Sequence, residues 1–301
     1  MGSRREFLQQ SILAGAALGI PGFEVLGFSN PTNNIFDMPK ISLAQWSLNR
    51  SFKKGDLKAE NFPVIAKATF GIGAVEYVNE FYESELDNGV FWQQLRQRAD
   101  SEGVQSLLIM VDEAGDLGAR NKKARQRAIG RHRKWMEASK LLGCHSIRVN
   151  AFGKGSREEL KSNLVDGLGR LAEEGAGLGM QVLIENHGLH TSDAAFIVDI
   201  IRQIDSPNLG TLPDFGNWCL NEEWGSTQGG KCTDSYNPVK GLEELLPYAR
   251  GVSAKSYDFD ASGNETRLPY KDLLKLVRHS GFEGFIGIEY EGDRLSEVEG
   301  V

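Results

Sequence analysis

The residues of this chain best suited to chemistry sit at the ends of apolar runs. In "VLIENHGLH", residues 182–190, Val182, Leu183 and Ile184 lead into Glu185, and His187 follows two positions later. Residues two apart on a strand leave the same face, so both side chains point one way. Asp214 ends another run in "LPDFGNW", and Lys255 stands in "SAKSYDFD". Glu289 and Glu291, again two apart, close "FIGIEYEGD". Glu76 lies in "GIGAVEYV", and Arg148 and Asn150 lie in "HSIRVNA". If Glu185, Asp214 and Glu289 share one space, three like charges strongly disfavour joint ionisation. A divalent cation with oxygen ligands answers that, and Mn²⁺ or Mg²⁺ suits the set better than Zn²⁺. Lys255 alone offsets one charge of the three. Singly, each residue has a plainer reading: a rim salt bridge, a helix cap, a hydrogen-bonded core histidine. Their joint placement makes a shared site the expectation.

Eight short stretches are expected to be the strands that position them: 40–47, 71–78, 104–111, 145–151, 181–187, 209–215, 251–257 and 285–290. Helical periodicity fills intervals such as 121–142 and 157–178. Ser192 or Asp193 is placed to cap a helix through "AAFIVDIIRQI", and a short helix is expected over 271–279. Strand–helix alternation implies parallel strands with right-handed crossovers. The rival architectures are an open doubly wound α/β sheet and a closed (β/α)8 TIM barrel. Eight repeats favour the barrel, and no G-x-G-x-x-G follows the first strand. Few residues follow the last strand, so the last helix is short or missing. In such a barrel the active site lies at the C-terminal strand ends, where these polar residues fall.

The 301 residues are 40% apolar and 25% charged, an ordinary globular composition. A net charge of −7 argues against a non-specific nucleic-acid binder. Beyond the N-terminus no apolar run is long enough to span a membrane. Arg4 and Arg5 precede Phe7, Leu8 and an apolar run from Ile12 to Ile20, a signal-peptide pattern of twin-arginine type. Residues 1–38 are therefore expected to be signal peptide and linker, and 39–301 the barrel, acting in the periplasm or otherwise exported. A cytosolic amphipathic helix is the alternative. An oxidising compartment permits a disulfide between Cys219 and Cys232, which bracket "CLNEEWGSTQGGKC". Cys144 reads as a buried small apolar residue.

On "LIENHG", "GTLPDFGNW", "VSAKSYDF" and "FIGIEYEGD", in that order and spacing, residues 40–292 resemble the xylose-isomerase-like TIM barrels, the sugar phosphate isomerase/epimerase superfamily. The resemblance implies a metal held by Glu, Asp, His and Glu from strands five to eight. Glu185, Asp214 and Glu289 match three of those positions, and Lys255 stands where the His is expected. A protonated lysine has no lone pair for a metal. Three arrangements are open. His187 or a water completes the coordination, Lys255 is neutral and acts as a base, or Lys255 is an ammonium among the acids without a metal. The first is favoured. The implied activity is that of a sugar isomerase or epimerase, metal-assisted proton abstraction next to a carbonyl, and the export pattern makes a non-phosphorylated sugar or sugar derivative the expected substrate. Glu185 and Glu289 would flank the carbon, with Lys255 assisting. His187, Arg148, Asn150 and Glu76 are candidates to bind hydroxyls, and Trp46 and Trp218 to stack on a sugar ring. Two rivals are a lyase eliminating from a keto-sugar glycoside and a non-catalytic carbohydrate-binding barrel. The superfamily's AP endonucleases use several histidine ligands. Only five histidines occur here, and His132, His145 and His279 miss the strand C-termini.

Overall fold

The computed structural model describes residues 39–301. The signal-peptide and linker reading of 1–38 lies outside the described residues. The strands are β1 (Lys40–Ala44), β2 (Ala74–Val78), β3 (Gln105–Val111), β4 (Ser146–Val149), β5 (Gln181–Glu185), β6 (Leu209–Leu212), β7 (Val252–Ser256) and β8 (Phe285–Tyr290). The helices are α1 (Asn49–Lys54), α2 (Phe62–Phe70), α3 (Gly89–Ser101), α4 (Lys122–Leu142), α5 (Arg157–Leu178), α6 (Ala194–Ile204), α7 (Pro238–Leu245), α8 (Tyr270–His279) and α9 (Glu297–Gly300). The eight strands form one sheet in the order β6-β5-β4-β3-β2-β1-β8-β7, with every ladder parallel. The sheet curls until its ends meet. There Thr211 bridges Ala249 and Asp214 bridges Ser253. The Ser253 N–H donates to Pro213 O at 2.9 Å, and the Phe215 N–H to Ser253 O at 3.0 Å. Pro213 has no N–H to give, so the β6 ladder stops before it and the seam rests on few bonds. This is the expected TIM barrel, and its last helix, α9, is short.

Local signals explain the boundaries. Asn121 caps α4 through the Ala124 N–H, Ser156 and Glu159 form a capping box on α5, and Asp193 caps α6 through the Phe196 N–H. Strands β4, β5 and β6 end two or three residues earlier than their apolar runs suggest. The reason for β5 and β6 is visible at Asn186, whose Nδ2 donates to Asp214 O and Asn217 O and whose Oδ1 accepts the Asp214 N–H. A side chain thus takes backbone groups that a longer ladder would have used.

Most buried apolar residues lie in one cluster, built from helix residues such as Trp92 and Trp135 and strand residues such as Val75 and Ile147. A second, small cluster comprises Ala44, Val78, Leu108, Met110, Leu183 and Leu212. Strand alternation puts Ser42, Glu76, Arg148, Glu185, Lys255 and Glu289 on the same inward side, all of them buried. Charged groups at that depth require partners, and the partners define the site.

Candidate active site

One half of the site is built by β3, β4 and β5. Arg148 Nε approaches Glu185 Oε2 to 2.7 Å, an ion pair without hydrogen-bond alignment. Its Nη1 donates to Asp112 Oδ1 and, at 3.4 Å, to Asn150 Oδ1. Asn150 Nδ2 also donates to Asp112 Oδ1, at 2.7 Å, which turns its Oδ1 toward His187 Nδ1, 2.7 Å away. The proton of His187 is thereby fixed on Nδ1, leaving Nε2 as an acceptor. Burial and the nearby Arg148 hold the imidazole well below its usual pKa, so it is neutral. Burial opposes the charge of Arg148 too, but Asp112 and Glu185 outweigh it and hold the guanidinium protonated. Arg148 Nη2 makes no hydrogen bond among the described residues.

The other half comes from β6, β7 and β8. Lys255, paired in register with Glu289, places Nζ 3.1 Å from Glu289 Oε1, 3.2 Å from Glu291 Oε1 and 3.1 Å from Asn217 Oδ1. Asp214 Oδ2 is 3.9 Å away. Burial works against the ammonium, yet Asp214, Glu289 and Glu291 raise its pKa well above the ordinary value. Asp214 Oδ1 accepts the Gly216 and Asn217 N–H groups at 2.7 and 2.8 Å, and Oδ2 accepts from Ser253 Oγ at 2.6 Å. Burial pushes its carboxyl up to about 7, against the pull of Lys255.

Above these groups opens a pocket of about 410 Å³, a size ordinary for a small-molecule site. Trp46, Val78, Met110 and Trp224 supply apolar surface, and Arg148, His187, Lys255, Glu289, Glu291 and Asp112 supply polar groups. Five expected site residues, Glu185, Asp214, Asn150, Glu76 and Trp218, are not part of this lining. Glu185, paired with Arg148 and bonded to Asn217, and Asp214, bonded to two amides and Ser253, lie beneath it. Asn150 touches His187 and Asp112. Glu76 lies deep in the barrel, where its Oε1 accepts from Ser42 Oγ at 2.6 Å and its Oε2 accepts no hydrogen bond among the described residues. Gly287 makes room for it, since a Cβ there would meet Glu76 Oε1 at 2.7 Å. Trp218 is a correction: it is fully buried, its Nε1 donates to Phe215 O, and its ring packs on Tyr236 and Gly241. The aromatic that joins Trp46 in the pocket is Trp224, 5.1 Å from the His187 ring and at φ 69°. It sits on the loop that the Cys219–Cys232 disulfide closes. That loop packs on Gly188 so tightly that a Cβ there would lie 2.7 Å from Trp224 N. The bracketing cysteines were the only signal for Trp224 in the sequence. Asp112 had none.

The expected divalent ion on Glu185, Asp214 and Glu289 does not fit this donor set. Arg148 holds Glu185, backbone amides and Ser253 take both Asp214 oxygens, and an ammonium stands beside Glu289. Among the described residues no group of three His, Cys, Asp or Glu side chains is arranged to hold a metal.

The barrel and its ring of strand-end acids define a recognised class. The chain belongs to the xylose isomerase-like TIM barrel family, whose model matches residues 64–301. A putative hydroxypyruvate isomerase of Mus musculus is 26% identical over 236 residues, covering 69% of this chain and 78% of that protein. A C-glycoside deglycosidase alpha subunit of Arthrobacter globiformis is 34% identical over 55 residues, only 18% of this chain and 15% of that subunit. In three dimensions the chain resembles 3-keto-D-glucoside 4-epimerase from E. coli, with a TM-score of 0.58 and 15% identity, over 86% of this chain and 94% of that one.

Proposed function

We propose that the pocket binds a non-phosphorylated sugar or keto-sugar and moves a proton on the carbon next to its carbonyl. The observation that carries this reading is Arg148 Nη2, a donor with no hydrogen bond among the described residues, in a pocket that also exposes the Glu289 carboxylate. Glu289 removes the proton. Arg148 donates to the carbonyl oxygen, where negative charge develops as the enolate forms. His187 Nε2 accepts from a neighbouring hydroxyl, and the Trp46, Met110 and Trp224 surface takes the apolar ring face. Glu185, by holding Arg148, is a positioning residue rather than a second base. The pocket carboxylates closest to the chemistry, Glu289 and Glu291, come from one strand tip. That favours return of the proton to the face it left, as in isomerisation, over inversion. The lining carries five acids (Glu80, Asp112, Glu113, Glu289, Glu291) against three cations (Lys53, Arg148, Lys255), which disfavours phosphorylated substrates. Membership of the family and the isomerase and epimerase names of its relatives support the class.

The test is solvent-deuterium incorporation, read by NMR over free aldoses, ketoses and keto-glycosides. Label at one carbon is expected, with the rate falling by about 10²–10⁴ in Glu289→Gln. No label with any sugar that binds would leave a carbohydrate-binding barrel without catalysis.

A second reading is elimination from a keto-sugar glycoside. A further cavity of about 570 Å³, lined by Gln228, Tyr257, Arg267 and Arg294, shares Ser226 and Glu291 with the first. It has room for an aglycone. Burial raises the Glu291 carboxyl against the pull of Lys255, so Glu291 is suited to protonate a leaving group at the junction. The local likeness to the C-glycoside deglycosidase subunit supports this outcome, and release of free aglycone distinguishes it from isomerisation. We also propose that the sugar is met outside the cytoplasm, on the twin-arginine pattern and the disulfide. Cell fractionation that finds the mature protein in the cytoplasm sinks that placement.

A further inference from the structure

We infer that the Lys255 ammonium takes the place of a divalent ion, and that the pocket binds none. The inference deepens the proposed reading, but its first measurement does not depend on turnover. Lys255 has three N–H bonds, and three oxygens stand at bonding distance: Asn217 Oδ1 at 3.1 Å, Glu289 Oε1 at 3.1 Å and Glu291 Oε1 at 3.2 Å. The ammonium is therefore saturated, and it is neither a nucleophile nor a base. Gly216 keeps the space for its stem, since a Cβ there would lie 3.1 Å from Lys255 Cδ.

The acids that the family resemblance would give to a metal are answered from within the chain. Asp214 accepts two backbone amides and Ser253 Oγ. Ser253 Oγ also lies 3.2 Å from Glu289 Oε2, so one hydroxyl spans two acids. Glu185 faces Arg148 Nε at 2.7 Å and accepts from Asn217 Nδ2 at 3.3 Å. Asn217 thus links the two halves, with its amide nitrogen on a carboxylate and its amide oxygen on the ammonium. A dication within reach of Asp214 and Glu289 would have to lie against Lys255, and like charges at that range repel.

A metal in this position would neutralise the acids and offer an open site to substrate oxygens. Lys255 performs the first task and cannot perform the second, because its donors are taken. Recognition of the substrate carbonyl consequently moves across the barrel to Arg148 Nη2. The pocket is a metal-free variant of the family's site, with the internal cation on β7 and the electrophile on β4.

The decisive measurement is manganese content after EDTA dialysis, incubation with MnCl2 and desalting. The full chain is expected to retain less than about 0.1 Mn²⁺ per molecule, and its melting temperature to move by less than about 1 °C on adding Mn²⁺ or EDTA. Lys255→His is expected to retain at least about tenfold more Mn²⁺ than the parent. One Mn²⁺ per parent chain, or a rise of several degrees on adding it, overturns the inference. So does a folded Lys255→His protein that retains no more metal than the parent. If Lys255→His does not fold, the parent's metal content and melting shift decide alone. A metal-free parent that exchanges no sugar proton leaves this inference standing and removes the proposed reaction.

Discussion

At Arg148, Asp112 and Asn150 take Nη1 and Glu185 takes Nε, so what remains for a ligand is Nη2. Arg148→Met is expected to lower the exchange rate by about 10²–10³, with a smaller effect on KM, because the lost bond strengthens only as the enolate forms. A comparable loss in KM alone would make Arg148 a binding group. Glu76 illustrates a different use of a buried acid. Burial, offset in part by Ser42, raises its pKa from the ordinary 4.5 to about 7. Below 4.5 the group is protonated in both states and its contribution to stability is complete. Between 4.5 and 7 the unfolded chain releases a proton that the folded chain keeps, so stability falls as pH rises and levels off above 7. Glu76→Gln lacks that loss, and its advantage over the parent should widen by ~2–3 kcal/mol between pH 5 and pH 8. Melting curves at both pH values check this; a gap that narrows with pH means Glu76 is held ionised. The sequence made these polar positions legible through the two-residue period at strand ends. It did not reveal depth. Glu185 and Glu289 look alike as strand-end acids, yet Glu185 lies beneath the pocket and Glu289 faces it, because their partners come from other strands.

Among the elements, the disulfide-closed loop after β6 gives the pocket two of its lining residues. Its cysteines are 13 residues apart, their Cα atoms are 5.8 Å apart, and Trp224 and Ser226 sit between them. Trp224 is held at positive φ, a conformation that costs a bulky residue on the order of 1 kcal/mol and needs a fixed loop to persist. Opening the bridge by Cys232→Ser should cost ~3 kcal/mol by loop-closure entropy. It should also raise KM by about tenfold while leaving kcat within about threefold, because in the proposed reaction Trp224 packs on the bound sugar and takes no part in proton transfer. Trp224→Ala should reproduce the KM change with the disulfide intact; an unchanged KM there would remove the aromatic from the site. Helices α4 and α5 were legible from their apolar period, and α6 from its period together with the cap at Asp193. This loop was legible as a segment closed by its bracketing cysteines, but its place over the pocket was not, since its polar, Gly-rich sequence has no period and its position is set by contact with Gly188 on another element.

At the scale of the molecule, eight strand–helix repeats made the barrel legible, but how the ring is secured was not, because those bonds join residues far apart in the chain. One such tie runs from the turn after β8 back to the start of α1. Glu297, 6% exposed, accepts the Arg50 N–H at 2.7 Å, the Ser51 N–H at 3.2 Å and the Ser51 hydroxyl. Arg50 Nε lies 3.6 Å from the same carboxylate. A carboxylate at a helix N-terminus satisfies amides that have no partner inside the helix and faces the positive end of its dipole. The tie holds α9 against α1, next to the β1–β8 ladder and the segment that carries Trp46. Glu297→Ala leaves half-buried donors without that acceptor and should cost about 1–3 kcal/mol, whereas Glu297→Gln, which keeps one acceptor oxygen, should lose roughly half of that. Hydrogen exchange gives the sharper check. The Arg50 and Ser51 amides should lose protection in Glu297→Ala while the β3, β4 and β5 amides keep theirs. Uniform loss across the barrel would mean that the C-terminal turn is part of the global folding unit, not a local clasp on the first strand.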